Sequence, residues 1–104
     1  LAVAPRPTAI FACMDLVAWG AYDVLAKAGL RVPDDISLAG FADLAPSARL
    51  AVPLTTVRQP ARDVGRRAGE KLLNLIEAGE DTPREVWLPT ELVVRASTAR
   101  PIDG

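Results

Sequence analysis

Two short apolar runs, Thr8–Cys13 and Ile36–Phe41, flank a segment with helical spacing, and this arrangement restricts the fold more than any other feature of the chain. Each run is too short for a helix and apolar at consecutive positions, the pattern of a strand buried on both faces. Between them Val17, Gly20, Ala21, Val24, Leu25 and Ala28 recur at 3.6-residue spacing. Asp15 stands where an N-cap belongs, and Gly29 where a helix-ending glycine belongs. The whole unit covers about 34 residues, the size of a right-handed parallel strand–helix–strand crossover.

The remainder continues the alternation. Residues 1–7 read as a loop, Pro46–Leu50 as one helical turn, and Leu54–Arg58 as a third strand rich in β-branched residues. Pro60 suits the first turn of a second helix, whose stripe is Ala61, Val64, Gly65, Ala68, Leu72, Leu75 and Ile76, ending at Gly79. Glu85–Leu88 and Glu91–Arg95 read as short strands separated by Pro89, and Ser97–Gly104 as a frayed polar tail. The pattern predicts an α/β fold with a mostly parallel sheet.

Composition then removes whole classes of chemistry. The chain has 104 residues with 12 Lys+Arg, 13 Asp+Glu and no His. A net charge of −1 gives no global basic field to hold nucleic acid. Without His there is no Ser–His or Cys–His pair and no His-ligated metal. Cys13 is the single cysteine, expected to be buried and structural, and a reducing cytoplasm fits it. Neither a P-loop, a G-x-G-x-x-G nor a G-x-S-x-G occurs. No apolar run approaches ~20 residues. The reading is a non-enzyme with no metal and no cofactor. Leu1–Phe11 does not read as a signal peptide, and the chain looks cut from something longer.

Ligands of open α/β sheets sit at the carboxyl ends of the strands. Two such ends are legible: Cys13-Met14-Asp15 and Gly40-Phe41-Ala42-Asp43. Asp15 reads first as a cap of its own helix, and Asp43 as a cap of the following loop or short helix as readily as a ligand contact. Arg58, Arg62, Arg66, Arg67 and Lys71 form a basic run, read as a solvated face with Asp63–Arg67 and Arg66–Glu70 pairs. Leu16 and Trp19 fall outside the helical stripe, so they either cover a neighbouring loop or form an exposed patch.

Three segments taken together, PTAIFACMDLVAWGAYDVLAKAGLRVPDDISLAGFAD, VPLTTVRQPARDVGRRAGEKLLNLI and LPTELVVRAST, resemble the C-terminal part of a lactose/galactose-repressor-type bacterial transcriptional regulator. The resemblance implies a Rossmann-like, three-layer lobe of a periplasmic-binding-protein-like effector domain. It assigns residues 1–59 to the C-terminal lobe, 60–89 to a segment of the other lobe, and 90–104 to a returning strand and tail. It implies a small effector, sugar-like or nucleobase-like, in a cleft edged by Met14, Asp15, Ala42, Asp43 and Gln59. Sugar-responsive members typically carry Asn at the position of Met14 and a ligand-contacting Asp at that of Ala42. It further implies a homodimer with Leu16, Trp19 and Leu54 at the subunit contact, and operator DNA held by an N-terminal helix-turn-helix outside these residues. A sugar-binding component of a transport system shares the fold and is the alternative.

Overall fold

The computed structural model describes residues 6–79 and 85–101. These form β1 (Ala9–Phe11), α1 (Asp15–Lys27), β2 (Ser37–Ala39), a 3-10 turn (Ala45–Ala48), β3 (Thr56–Arg58), α2 (Ala61–Ala78) and β4 (Glu91–Val93). They divide into two units: residues up to Arg58 together with those from Glu91 onward, and residues 59–90.

In the first unit β1 and β2 pair in parallel, with Ala9 opposite Ser37 and Phe11 opposite Ala39. A parallel bridge between Ala39 and Thr55 extends this order toward β3. β4 then pairs antiparallel with β3, Thr56 opposite Val93 and Arg58 opposite Glu91. The expected parallel arrangement therefore carries one antiparallel edge. Ala12, Ala18, Leu25, Val32, Ile36, Leu38 and Leu54 make the core, with Ile10, Trp19, Tyr22 and Leu30 packed against it. At the end of α1, Gly29 takes a φ of 79°, a conformation that favours glycine.

α1 is rotated from the expected stripe. Its buried residues are Asp15, Ala18 and Leu25, whereas Val17 and Val24 are 50% and 67% exposed. Apolar residues run almost all round this helix, so their spacing alone does not choose a face. The polar bonds of Asp15 and Trp19, described below, do. Trp19 thus covers a neighbouring loop, while Leu16 remains on the surface.

The segment after β4 is not frayed where it is described. Ser97 is buried; its hydroxyl donates to the Leu38 carbonyl at 2.5 Å and accepts the Thr55 N–H at 2.8 Å. The Ala99 N–H donates to the Ser37 hydroxyl oxygen at 3.0 Å. A polar composition suggested solvent, but these groups complete the hydrogen bonding of β2 and of the approach to β3.

In the second unit α2 has no buried residue. Pro60 stands just before it as the N-cap residue, and Gly79, at φ 76°, ends it. Arg66 bonds both Glu70, at 2.9 Å, and Asp63, at 3.2 Å. Glu85–Leu88 forms no strand. A strand needs a ladder partner, and its own unit offers only a helix among the described residues.

Candidate functional site at the strand ends

Because β1 and β2 are parallel neighbours, the loops that leave them meet. The Ala12 N–H donates to the Ala39 carbonyl at 2.8 Å, and the Asp15 N–H to the Phe41 carbonyl at 2.9 Å. Beyond this junction the backbone turns through an unusual conformation. Ala42 has a φ of 109° and Asp43 one of 56°. Neither is glycine, and each such residue costs about 1–3 kcal/mol unless its surroundings enforce it. They do here: the Ala42 N–H donates to the Val57 carbonyl at 2.9 Å, the Asp43 N–H to the Thr56 hydroxyl oxygen at 3.4 Å, and the Leu44 N–H to Asp15 Oδ2 at 2.8 Å.

Asp15 is the centre of this arrangement. It is the first residue of α1, preceded by Met14 as N-cap, and its side chain makes no cap bond. It is fully buried and accepts from Leu44, from the Ser47 hydroxyl at 2.5 Å and from the Thr56 hydroxyl at 2.6 Å. The expected roles of Asp15 as helix cap or as a solvent-facing contact are therefore corrected: three protein donors occupy it. Close packing around it also accounts for Gly40. A Cβ there would stand 2.6 Å from Asp15 Oδ1 and 3.2 Å from Asp15 Cα, closer than real contacts allow.

Asp43 is held differently. Arg58 Nε and Arg95 Nη2 each approach its carboxylate to 2.8 Å. Arg58 lies on β3, not on the basic face of α2 where the sequence grouped it. Burial opposes the charge on Asp43, but the bonds from Arg58 and Arg95 outweigh it and hold the carboxyl below the usual carboxylate range. A carboxyl lowered by folding contributes stability above its unfolded value, about 3.9, and loses it as pH falls through the folded value. The unfolding temperature should hold above about pH 5 and fall toward about pH 3, and Asp43→Asn should flatten that fall. A variant as acid-sensitive as the parent would remove Asp43 as its source.

The other expected residues are dispersed. Met14 is 41% exposed beside this edge, and Ala42 is half-buried. Gln59 opens the second unit, where its carbonyl accepts the Ala61 N–H at 2.8 Å. Leu16 is exposed, but Leu54 is only 1% exposed and belongs to the core, so it is no surface residue. Cys13 is exposed rather than buried, because it lies past the end of β1 in the connection to α1. Ser47, Thr56 and Arg95 were missed. Hydroxyls next to apolar strand residues hinted at Thr56; nothing in the sequence brings Arg95 to Asp43. An open, largely apolar cavity of about 410 Å³ adjoins this site through Gly40 and Thr56, lined also by Phe11, Leu38, Val57 and Leu92 but by none of Met14, Ala42 or Asp43.

The model of the periplasmic binding protein-like domain family matches residues 1–98. The chain is 39% identical over 92 residues to the ribose operon repressor of Haemophilus influenzae, covering 88% of this chain but 28% of that protein. It is 39% identical over 101 residues to a lactose operon repressor of Rhizobium radiobacter, covering 97% of this chain and 88% of that sequence. Among solved structures, a dimeric lac repressor with an 11-residue C-terminal deletion superposes with a TM-score of 0.81 at 36% identity, over 91% of this chain and 35% of that one.

Proposed function

The chain belongs to the lactose/galactose-repressor-type family with its periplasmic binding protein-like domain, and we propose that it is the effector-binding and dimerisation part of a DNA-binding transcriptional regulator. The observation that carries the effector half is the left-handed pair Ala42–Asp43 at the carboxyl edge of parallel strands, beside Met14. Strain enforced by surrounding bonds is characteristic of ligand-contacting segments, and this edge is where open α/β sheets take ligands. The relatives are operon repressors, which favours regulation over transport and over catalysis.

In this reading residues 1–59 belong to the C-terminal lobe, 60–89 to a segment of the other lobe and 90–104 to a returning strand and tail, and the effector sits at the strand-end edge; the structure divides the chain one residue earlier, with Gln59 in the second unit. Met14 and Ala42 offer it methyl and thioether groups where sugar-responsive members offer an amide and a carboxylate. The effector is then poorer in hydroxyls than a pyranose: a nucleobase-like compound or a sparsely hydroxylated sugar-like one. Asp43 completes the edge, and Gln59 keeps its proposed effector role on the family resemblance alone. Operator DNA is the partner of a helix-turn-helix that the 104 residues do not include, and the location is cytoplasmic. Among the described residues no helix is long and apolar enough to cross a membrane.

The dimerisation half rests on the outward side of α1. Leu16, Val17 and Val24 are at least half exposed there, and a Cβ on Gly20 would meet nothing within 4 Å. Glycine within a helix costs about 1 kcal/mol against alanine, and it lets a second helix approach closely. Light scattering should find the chain dimeric at tens of micromolar and Leu16→Glu monomeric. A monomeric parent, or a dimer untouched by Leu16→Glu, contradicts this surface.

A further inference from the structure

We propose that Asp15 is a positioning residue that makes the Ala42–Asp43 segment and the Trp19 side chain a single mechanical body. The proposal deepens the effector reading above, since it concerns how a ligand at that edge is felt elsewhere.

Three routes leave the one carboxylate. Oδ1 accepts the Thr56 hydroxyl at 2.6 Å, and the Thr56 oxygen in turn accepts the Asp43 N–H at 3.4 Å. Oδ2 accepts the Leu44 N–H at 2.8 Å. Oδ2 also accepts the Ser47 hydroxyl at 2.5 Å, and the Ser47 oxygen accepts the Trp19 indole N–H at 3.2 Å. The routes join α1, the loop after β2, the 3-10 turn and β3.

The directions of these bonds matter. Every group facing Asp15 donates, so the carboxylate acts purely as acceptor. Ser47 has one proton, committed to Asp15, and its oxygen takes the indole proton. Turning the Ser47 side chain about χ1 breaks both bonds. Asp15, Ser47 and Thr56 are each fully buried, so no water replaces a lost partner. In such surroundings hydrogen-bond chains polarise one another and behave as a unit. The carboxylate fits here only because residue 40 is glycine: a Cβ on Gly40 would stand 2.6 Å from Oδ1. A displacement of the Ala42–Asp43 backbone therefore disturbs the acceptor that holds Ser47, and through it Trp19 on the helix that carries Leu16.

The test removes one end of a route and reads the other. Trp19→Phe keeps an aromatic ring but deletes the indole N–H together with part of the ring that packs against the core, so Ser47→Ala, which leaves the indole in place, is its control. In the ligand-free chain, ¹H–¹⁵N exchange of the Leu44 amide should accelerate roughly two- to tenfold, the worth of one net hydrogen bond, although no bond joins Trp19 to Leu44. Ser47→Ala should do the same and bring Trp19 indole exchange close to that of Trp87, which is 88% exposed and serves as the free reference. The Ala28 and Leu30 amides, bonded to Val24 and Leu25 at the far end of α1, should not change. An unaltered Leu44 amide in both variants overturns the proposal. So does equal acceleration at Ala28 and Leu30, which would mean general loosening. No effector is present in this experiment, so its failure leaves the effector reading intact, and a failed effector titration leaves this coupling intact.

Discussion

Asp15→Ala should cost about 3–6 kcal/mol of folding free energy, out of the roughly 3–9 kcal/mol that stranding three buried donors at about 1–3 kcal/mol each would give. Those donors are the Leu44 N–H and the hydroxyls of Ser47 and Thr56. The two hydroxyls can turn toward other acceptors, whereas the N–H cannot, so the lower half of the range is favoured. Against a typical total of about 5–15 kcal/mol the loss is large. Urea denaturation followed by near-ultraviolet circular dichroism measures it, since Trp19 is bonded within the same network. Asp15→Asn should be milder but still destabilising, because the amide nitrogen adds a donor to a site that only donates inward. A cost below about 1 kcal/mol for Asp15→Ala would mean that these bonds are easily replaced and that the loop does not depend on them.

Asp15 also marks where the sequence stopped being informative. Its place before an apolar helix marked the strand-to-helix junction, and the two apolar runs located β1 and β2 to within a few residues. Spacing of apolar residues says which positions prefer burial, but α1 is apolar on nearly every side. Its rotation is decided by one carboxylate and one indole, whose partners lie 32 and 28 residues away in the 3-10 turn. Long-range polar contacts have no local periodicity to betray them. The same reason hid Arg95, which reaches Asp43 only after the chain has returned as β4. It also hid the order of Ser97–Ala99, polar residues that serve as backbone partners for β2. Positive φ at Ala42 and Asp43 was equally invisible, because glycine is the usual signal for it and none stands there.

The meeting of the two strand ends was legible in outline, and the family resemblance pointed to Met14 and Ala42 as apolar replacements within it. The rest of the edge was rewritten by structure: Asp15 turns inward, and Asp43 is neutralised by Arg58 and Arg95. In the proposed reading Met14 and Ala42 are then left to set what the edge accepts. An amide and a carboxylate placed there would each supply hydrogen bonds to hydroxyl groups, worth about 0.5–1.5 kcal/mol apiece, and somewhat more for the charged acceptor.

Calorimetric titration of D-ribose into the protein that contains these residues, as wild type and as Met14→Asn/Ala42→Asp, tests this most directly. The account predicts weak or silent binding by the wild type and affinity roughly 5- to 150-fold higher in the double variant, the equivalent of about 1–3 kcal/mol. Tight ribose binding by the wild type, or an affinity that the two substitutions leave unchanged, would contradict the assignment of effector recognition to this edge.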